Sequence, residues 1–377
     1  MPLALRAFTA RGYRSLRRIA YPVSQLDAFV GANGVGKSNL FRALALLRAA
    51  ADNSLGREIA QEGLRSAMWA GPRRRDEPAG IELSVELASP SGGRSVLRYE
   101  VSVGFPPPTA GAFPEEPQIK TETLSHVSGG RAHRLMDRNG YSVMVRDDDG
   151  RPVALDIDIL GSETVLGRLE DPARHPELDE VRRTLLEWRF YHDLRTDPAS
   201  PLRRPCVAVA APTLAADGAN LAAVFATLAH IRQDTADLDR TIDRALPGCR
   251  LVCAGEARAS FGLTYPDFPK RVFGAEELSD GTLRFLALAG ALMSYRLPPF
   301  IALNEPESSL HADLMEPLGE MIVQAAARTQ VWLVTHSQRL AEVIDRSGLG
   351  AVRQVVKRDG ATTVEGLTLM GSFRDDD

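Results

Sequence analysis

Eight consecutive residues carry the clearest chemistry in the sequence. Gly31-Ala32-Asn33-Gly34-Val35-Gly36-Lys37-Ser38 fits the pattern G-x-x-x-x-G-K-[ST] at every position. Glycines at these places let backbone N–H groups turn inward around a phosphate, where a Cβ would clash. Lys37 is expected to reach the β- and γ-phosphates and Ser38 to ligate Mg²⁺, with Asn39 following in the same turn. Lysine is otherwise sparse, at Lys120, Lys270 and Lys357 only, so a lysine at this place is hard to dismiss as incidental.

Two further segments end in polar residues suited to phosphate chemistry. The apolar run Phe300-Ile301-Ala302-Leu303 leads into Asn304-Glu305-Pro306-Glu307. A buried parallel strand delivers such residues to the ligand edge of its sheet. There Glu305 would act as general base on water, and the Asn304 amide oxygen would accept from a metal-bound water without bringing charge. Val331-Trp332-Leu333-Val334 leads likewise into Thr335-His336-Ser337, which makes His336 a candidate γ-phosphate sensor. Alone, the first segment reads equally as a strand with an acidic turn, and the second reads more readily as a strand ending in a structural histidine. Leu278-Ser279-Asp280-Gly281-Thr282 opens an apolar helix and makes an anion-ready N-terminus, though an ordinary helix cap has the same sequence.

Elements at both ends of the chain must position these groups. Residues 25–30 read as a strand feeding the loop, and Leu40, Phe41, Leu44 and Leu47 give the following helix its apolar face. Residues 3–8 read as another strand. From 81 to 159 alternating stretches at 81–87, 99–103, 119–124, 141–145 and 153–159 predict an antiparallel β region, with a proline-rich loop at 105–117. From 177 to 246 the spacing is helical, interrupted by a loop at 193–212. The last third returns to α/β, with a sheet edge at 351–356 and 363–369 and a frayed tail from Arg374. The expected organisation is therefore residues 1–160 for the first part of a nucleotide-binding core and its β lobe, 161–250 for a helical insertion, and 251–377 for the rest of the core.

Composition narrows the class. In 377 residues, 44% hydrophobic and 25% charged content match a globular protein, and no apolar run approaches the length of a membrane span. The N-terminus lacks a basic segment followed by an apolar one, so the expected compartment is the cytoplasm. Cys206, Cys249 and Cys253 have no zinc-site spacing, and the net charge of −4 gives no global attraction to nucleic acid. Arg73-Arg74-Arg75, Arg182-Arg183 and Arg203-Arg204 are basic clusters without interleaved aromatics, more in keeping with solvated faces than with a single-strand platform.

Taken together these segments resemble the ABC-type ATPase heads of the SMC, RecF and OLD group, in particular short bacterial AAA-type members without a coiled coil. The resemblance implies an α/β P-loop NTPase core of the ABC/SMC-head type, with an antiparallel β insertion and a helical subdomain. It implies ATP and Mg²⁺ as cofactors and an ATP-dependent homodimer in which Ser279 and Gly281 contact the nucleotide of the other subunit. It makes Glu305 the catalytic glutamate, His336 the switch histidine and residues 308–311 a partner-facing segment. Tyr13-Arg14-Ser15-Leu16 resembles the group's early Phe-Arg-Ser motif, which places Arg14 near the nucleotide. Two departures stand out: Asn304 replaces the usual aspartate, and no glutamine loop is identifiable. DNA is a partner by resemblance only, and a separate effector protein is a further one. The absence of an Asn-Lys-x-Asp guanine reader argues against a GTPase. The competing reading is a slow or non-hydrolysing ATP-gated clamp that regulates a separate effector.

Overall fold

The computed structural model of the chain describes residues 3–73, 77, 79–90, 93, 95–107, 113–147, 149–232 and 236–374. Arg74, Arg75, residues 108–112 of the proline-rich loop and residues 375–377 of the tail lie outside the described residues. The chain opens with β1 (Ala4–Tyr13), β2 (Leu16–Pro22) and β3 (Leu26–Val30), followed by α1 (Lys37–Ala51), α2 (Leu55–Glu62) and α3 (Leu64–Ala67). Six strands come next: β4 (Ile81–Ala88), β5 (Ser95–Gly104), β6 (Gln118–Ser128), β7 (Arg131–Asn139), β8 (Ser142–Arg146) and β9 (Pro152–Ala154). Then follow α4 (Val165–Arg168), α5 (Pro176–Glu187), β10 (Arg189–Tyr191), β11 (Cys206–Val207), α6 (Leu221–Arg232) and α7 (Ala236–Ala245). The last third holds β12 (Arg250–Ala254), β13 (Arg258–Tyr265), β14 (Phe268–Gly274), α8 (Asp280–Met293), β15 (Phe300–Asn304) and α9 (Met315–Ala326). It closes with β16 (Gln330–Val334), α10 (Gln338–Ser347), β17 (Ala351–Arg358) and β18 (Ala361–Val364).

These elements form two compact units: Met1–Ser24 with Gly31–Trp188 and Arg353–Asp377, and Gln25–Val30 with Arg189–Val352. The first unit is built on an eight-stranded antiparallel sheet in the order β2-β1-β4-β5-β6-β7-β8-β9. Period-two alternation buries Ile81, Leu83, Val85 and Leu87 of β4 on one face, and Tyr99, Val101 and Val103 of β5 beside them. α1 covers that face by packing on β1 and β4, and α4 and α5 pack on α1. The β region expected at 81–159 is present, with differences. β7 was not expected, because its first four residues are exposed, three of them polar, and leave no alternation to read. The strand expected at 153–159 is only β9, three residues long; Leu155 N–H still donates to the Val143 carbonyl at 2.9 Å, and the backbone then leaves the ladder.

A charged pair lies inside this unit. Glu122 on β6 and Arg138 on β7 are fully buried and 3.7 Å apart. The Glu122 carboxylate accepts from Tyr99 Oη at 3.0 Å and from the backbone N–H groups of Val165 and Leu166 at 2.7 and 2.9 Å, which anchors the start of α4. Burial pushes the Glu122 carboxyl up and the Arg138 guanidinium down, each against the pull of its partner. Removing Glu122 leaves the Arg138 charge buried with only the backbone carbonyls of Gly140, Leu160 and Glu163 as partners. Glu122→Ala should therefore cost about 3–5 kcal/mol in urea unfolding; a loss under about 1 kcal/mol would mean water reaches Arg138.

In the second unit β10, β15, β16 and β3 run parallel in that order, so all four end at the same edge. Every residue of β15 and β16 is buried, as expected of a strand covered on both faces. Trp332 stacks on Phe29 with ring centroids 4.3 Å apart. Helices α8, α9 and α10 supply Leu286, Leu292, Leu318, Ile322 and Ile344 to this core. The strands β11, β12, β13 and β14 form a separate antiparallel sheet that the sequence reading had missed between the helical and α/β regions. β17 pairs with β18 in an antiparallel hairpin, shorter at its second strand than expected.

Candidate functional site

The glycine-rich loop leaves β3 at Gly31 and ends where α1 begins at Lys37. Its turn runs through left-handed backbone at Gly34, φ 77°, and at Gly36, φ 100°. Gly36 is also hemmed in: a Cβ there would lie 2.0 Å from Thr362 Oγ1 and 2.5 Å from Ser15 Oγ. These two hydroxyls belong to a relay with one possible proton order. Thr362 Oγ1 donates to the Val35 carbonyl at 2.6 Å, so it must accept from Ser15 Oγ, also at 2.6 Å. Ser15 Oγ in turn accepts from Asn39 Nδ2 at 2.7 Å. β18 and the β1–β2 turn thus brace the loop from behind, and the Asn39 amide nitrogen is committed to that brace. Lys37 is buried and its Nζ donates to the carbonyls of Gly31 at 2.6 Å and Ala32 at 3.0 Å. Ala32, Asn33, Gly34 and Ser38 are exposed.

Arg14 sits one residue before the brace, in left-handed backbone at φ 47°. Its guanidinium pairs with Glu62 at 2.9 Å, a carboxylate that also takes Arg42 Nε at 2.7 Å and Tyr13 Oη at 3.1 Å. Burial and then the Glu62 charge push the Tyr13 hydroxyl well above its usual range. For Arg42 burial pulls down, but hydrogen bonding and charge from Glu62 outweigh it and raise the group. Arg14 remains 40% exposed at the side chain, so it keeps a solvent-facing side while Glu62 fixes its reach.

The acid edge lies in the other unit. Glu305 follows β15 directly and adopts φ 49°, a left-handed conformation rare for a residue with a side chain. Its N–H donates to the Val334 carbonyl at 2.8 Å, and its Oε1 lies 3.0 Å from His336 Nε2. Both side chains are about one third exposed, at 36% and 34%. Glu307 holds the histidine's backbone in place. Its Oε1 accepts from Thr335 Oγ1 and His336 N, both at 2.6 Å, and from Ser337 N at 3.1 Å. Arg284 on α8 donates to the carbonyls of Glu305 and Pro306 at 3.3 Å, and burial pulls this guanidinium down. Asn304 is 4% exposed; its Nδ2 lies 2.8 Å from His192 Nδ1, and its Oδ1 is buried without a hydrogen-bond partner among the described residues.

Ser279 caps α8, its Oγ accepting from Thr282 N at 3.2 Å. The segment before it is clamped by Arg203, which donates to the carbonyls of Ala275, Glu276 and Leu278 and pairs with Asp280 at 2.7 Å. Gly281 lies against the next loop, where a Cβ would be 3.0 Å from the Ser309 carbonyl. The structure thus brings Gly31–Asn39 and Arg14 together in one unit, and Asn304, Glu305 and His336 at one sheet edge of the other. His192, Glu62, Glu307, Arg203 and Thr362 were missed as site residues. Only Glu307 left a signal, as the second acid of the Asn-Glu-Pro-Glu turn.

The donor set suits a phosphate-borne Mg²⁺. Among the described residues no group of three or more His, Cys, Asp or Glu side chains forms a metal cage. Mg²⁺ in nucleotide sites takes few protein oxygens and keeps several waters. In the first unit the exposed Ser38 offers such an oxygen; in the second the buried Asn304 Oδ1, without a hydrogen-bond partner among the described residues, is another.

The fold is that of an SMC head domain. The chain is similar to a crystal structure of the SmcHead bound to the C-winged helix domain of ScpA, at 16% identity and TM-score 0.55, over 97% of this chain and 99% of that one. It is similar also to the Smc head domain with an extended coiled coil bound to the C-terminal domain of ScpA, derived from Pyrococcus furiosus, at 14% identity and TM-score 0.53, over 98% and 97% of the chains. A family model described as "AAA domain, putative AbiEii toxin, Type IV TA system" matches residues 28–124 and 267–342, which include the glycine-rich loop, Ser279, Glu305 and His336. No curated protein is detectably similar in sequence. No helix among the described residues is long and apolar enough to cross a membrane.

Proposed function

We propose that the chain is a cytoplasmic, Mg²⁺-dependent ATP hydrolase whose active site is completed by a second copy of itself. The observation that carries this reading is the Glu305–His336 pair, 3.0 Å apart at the end of two buried parallel strands, in a chain that also bears a complete phosphate loop. The loop N–H groups and Lys37 bind the β- and γ-phosphates. Glu305 takes the proton from the attacking water, and His336 orients that carboxylate and meets the γ-phosphate side of the reaction. Ser38 would hold a Mg²⁺ that would supply positive charge to the phosphate oxygens, and the Asn304 amide oxygen is of the kind that accepts from a metal-bound water. Arg14, held by Glu62, presents positive charge to the nucleotide. Ser279 and Gly281 of one copy close the γ-phosphate side of the other copy's loop.

The trans role of Ser279 is testable by mixing. Ser279→Arg should spare ATP binding by a monomer and abolish ATP-driven dimerisation and most hydrolysis. Lys37→Ala is inactive for the opposite reason. A heterodimer of the two contains one intact composite site, so activity should appear only in the mixture. Heterodimers as inactive as both parents would count against independent composite sites. Full activity of Ser279→Arg alone would reduce the segment to the helix cap it also is.

We further propose that dimerisation serves a DNA-related task in repair, recombination or phage defence. The description of the matched model adds a toxin–antitoxin role to these. Support for DNA rests on the fold's resemblance, because three of the clustered arginines are already paired with acids: Arg182 with Glu170, Arg183 with Asp179 and Arg203 with Asp280. A second reading, a slow ATP-gated clamp acting on a separate effector, is favoured by the neutral Asn304. Turnover measured with and without DNA separates the two.

A further inference from the structure

We infer that His192 is a positioning residue that decides which end of the Asn304 side chain faces the water shell of a nucleotide-bound metal. The inference rests on the metal reading given above. β10 pairs with β15 so that Tyr191 lies opposite Leu303, which brings the next residues, His192 and Asn304, side by side where the two strands end.

An aspartate in place of Asn304 would offer the same atom at both ends of its side chain. An asparagine offers two different ones: the oxygen accepts a hydrogen bond and the nitrogen only donates. A metal-bound water is a donor, so the oxygen end alone suits it. The nitrogen end would set hydrogen against hydrogen.

His192 meets the nitrogen end. The amide nitrogen lies 2.8 Å from His192 Nδ1, and because an NH₂ group cannot accept, the imidazole nitrogen must. That bond turns Oδ1 away from His192, into a buried position where no described residue donates to it. With the acceptor gone, the productive pose would leave a buried NH₂ unpaired. That cost, about 1 kcal/mol for one neutral hydrogen bond, corresponds to about 5-fold in affinity.

The test is an Mn²⁺ titration of the full chain with a non-hydrolysable ATP analogue, read by electron paramagnetic resonance, with thermal melting as a control for folding. His192→Ala should weaken Mn²⁺ binding about 5-fold, and His192→Phe, which keeps a ring but no acceptor, should do the same. His192→Asn, whose own amide oxygen can accept, should recover most of the loss. In the Asn304→Asp background His192→Ala should cause no loss, since a carboxylate has no wrong end. Equal losses in both backgrounds would make His192 a general structural support and overturn the inference. So would unchanged Mn²⁺ affinity in both His192→Ala and His192→Phe while Asn304→Asp still tightens the metal, a result that leaves the metal reading standing. Unchanged Mn²⁺ affinity in both Asn304→Asp and Asn304→Ala would instead overturn the metal reading, and the inference with it.

Discussion

Glu305→Gln is expected to slow ATP hydrolysis by at least about 100-fold, the usual worth of a positioned general base, while ATP binding survives. Glutamine keeps the shape of the side chain and its contact distance to His336, but an amide cannot take a proton from water. The phosphate loop lies elsewhere in the chain and loses nothing. ATP should then persist on the protein, and if a second copy completes the site, the variant should accumulate as a nucleotide-bound dimer. Rapid-quench measurement of hydrolysis and light scattering at saturating ATP and Mg²⁺ read the two consequences separately. Hydrolysis within a few-fold of the parent would remove Glu305 from the chemistry. A monomer under those conditions would leave the base intact and remove the shared site.

Lys37→Ala is expected to weaken ATP binding by about 100-fold or more, close to 2.7 kcal/mol. The Lys37 ammonium is buried at the start of α1 and holds the carbonyls of Gly31 and Ala32. In this variant the loop loses both its cation for the phosphates and the group that organises its first two residues. Charge-assisted hydrogen bonds each contribute about 1.5–3 kcal/mol, so loss of one or two accounts for the effect. Calorimetric titration with ATP checks it, and circular dichroism confirms that α1 persists. Native affinity in a folded variant would end the phosphate-loop assignment.

Much of this site is local in sequence and therefore legible there. The loop is eight contiguous residues in a fixed pattern, and β15 and β16 announce themselves as short apolar runs ending in polar groups. α1 was expected from residue 37 and begins there, because Leu40, Phe41, Leu44 and Leu47 mark its buried face. What could not be read depends on pairing between distant segments. Thr362 reaches the loop only because its N–H donates to the Ser15 carbonyl, 347 residues away, at 2.8 Å. His192 meets Asn304 because β10, three residues long and flanked by a proline-containing loop, joins β15 in parallel. Nothing within residues 189–192 requires that. β7 was lost for a different reason: Arg131, Ala132, His133 and Arg134 are exposed, so mostly polar residues hid a strand that pairs with β6 along its length, with one register shift. Glu122 broke the expected rule that charge points outward, and the facing Arg138, the Tyr99 hydroxyl and the N–H groups of α4 explain why it does not.

The left-handed backbone at Glu305, φ 49°, has a consequence for anyone seeking a hardier version of this protein. A side-chain-bearing residue held in that region costs about 1–2 kcal/mol, and glycine bears no such penalty. Ser309, four residues on, has the same handedness at φ 67°. A library sorted for heat resistance or soluble yield would thus favour glycine at position 305, the one substitution that erases the proposed base. Robustness and turnover pull in opposite directions at this single turn, and any selection for the first needs an activity gate to keep the second.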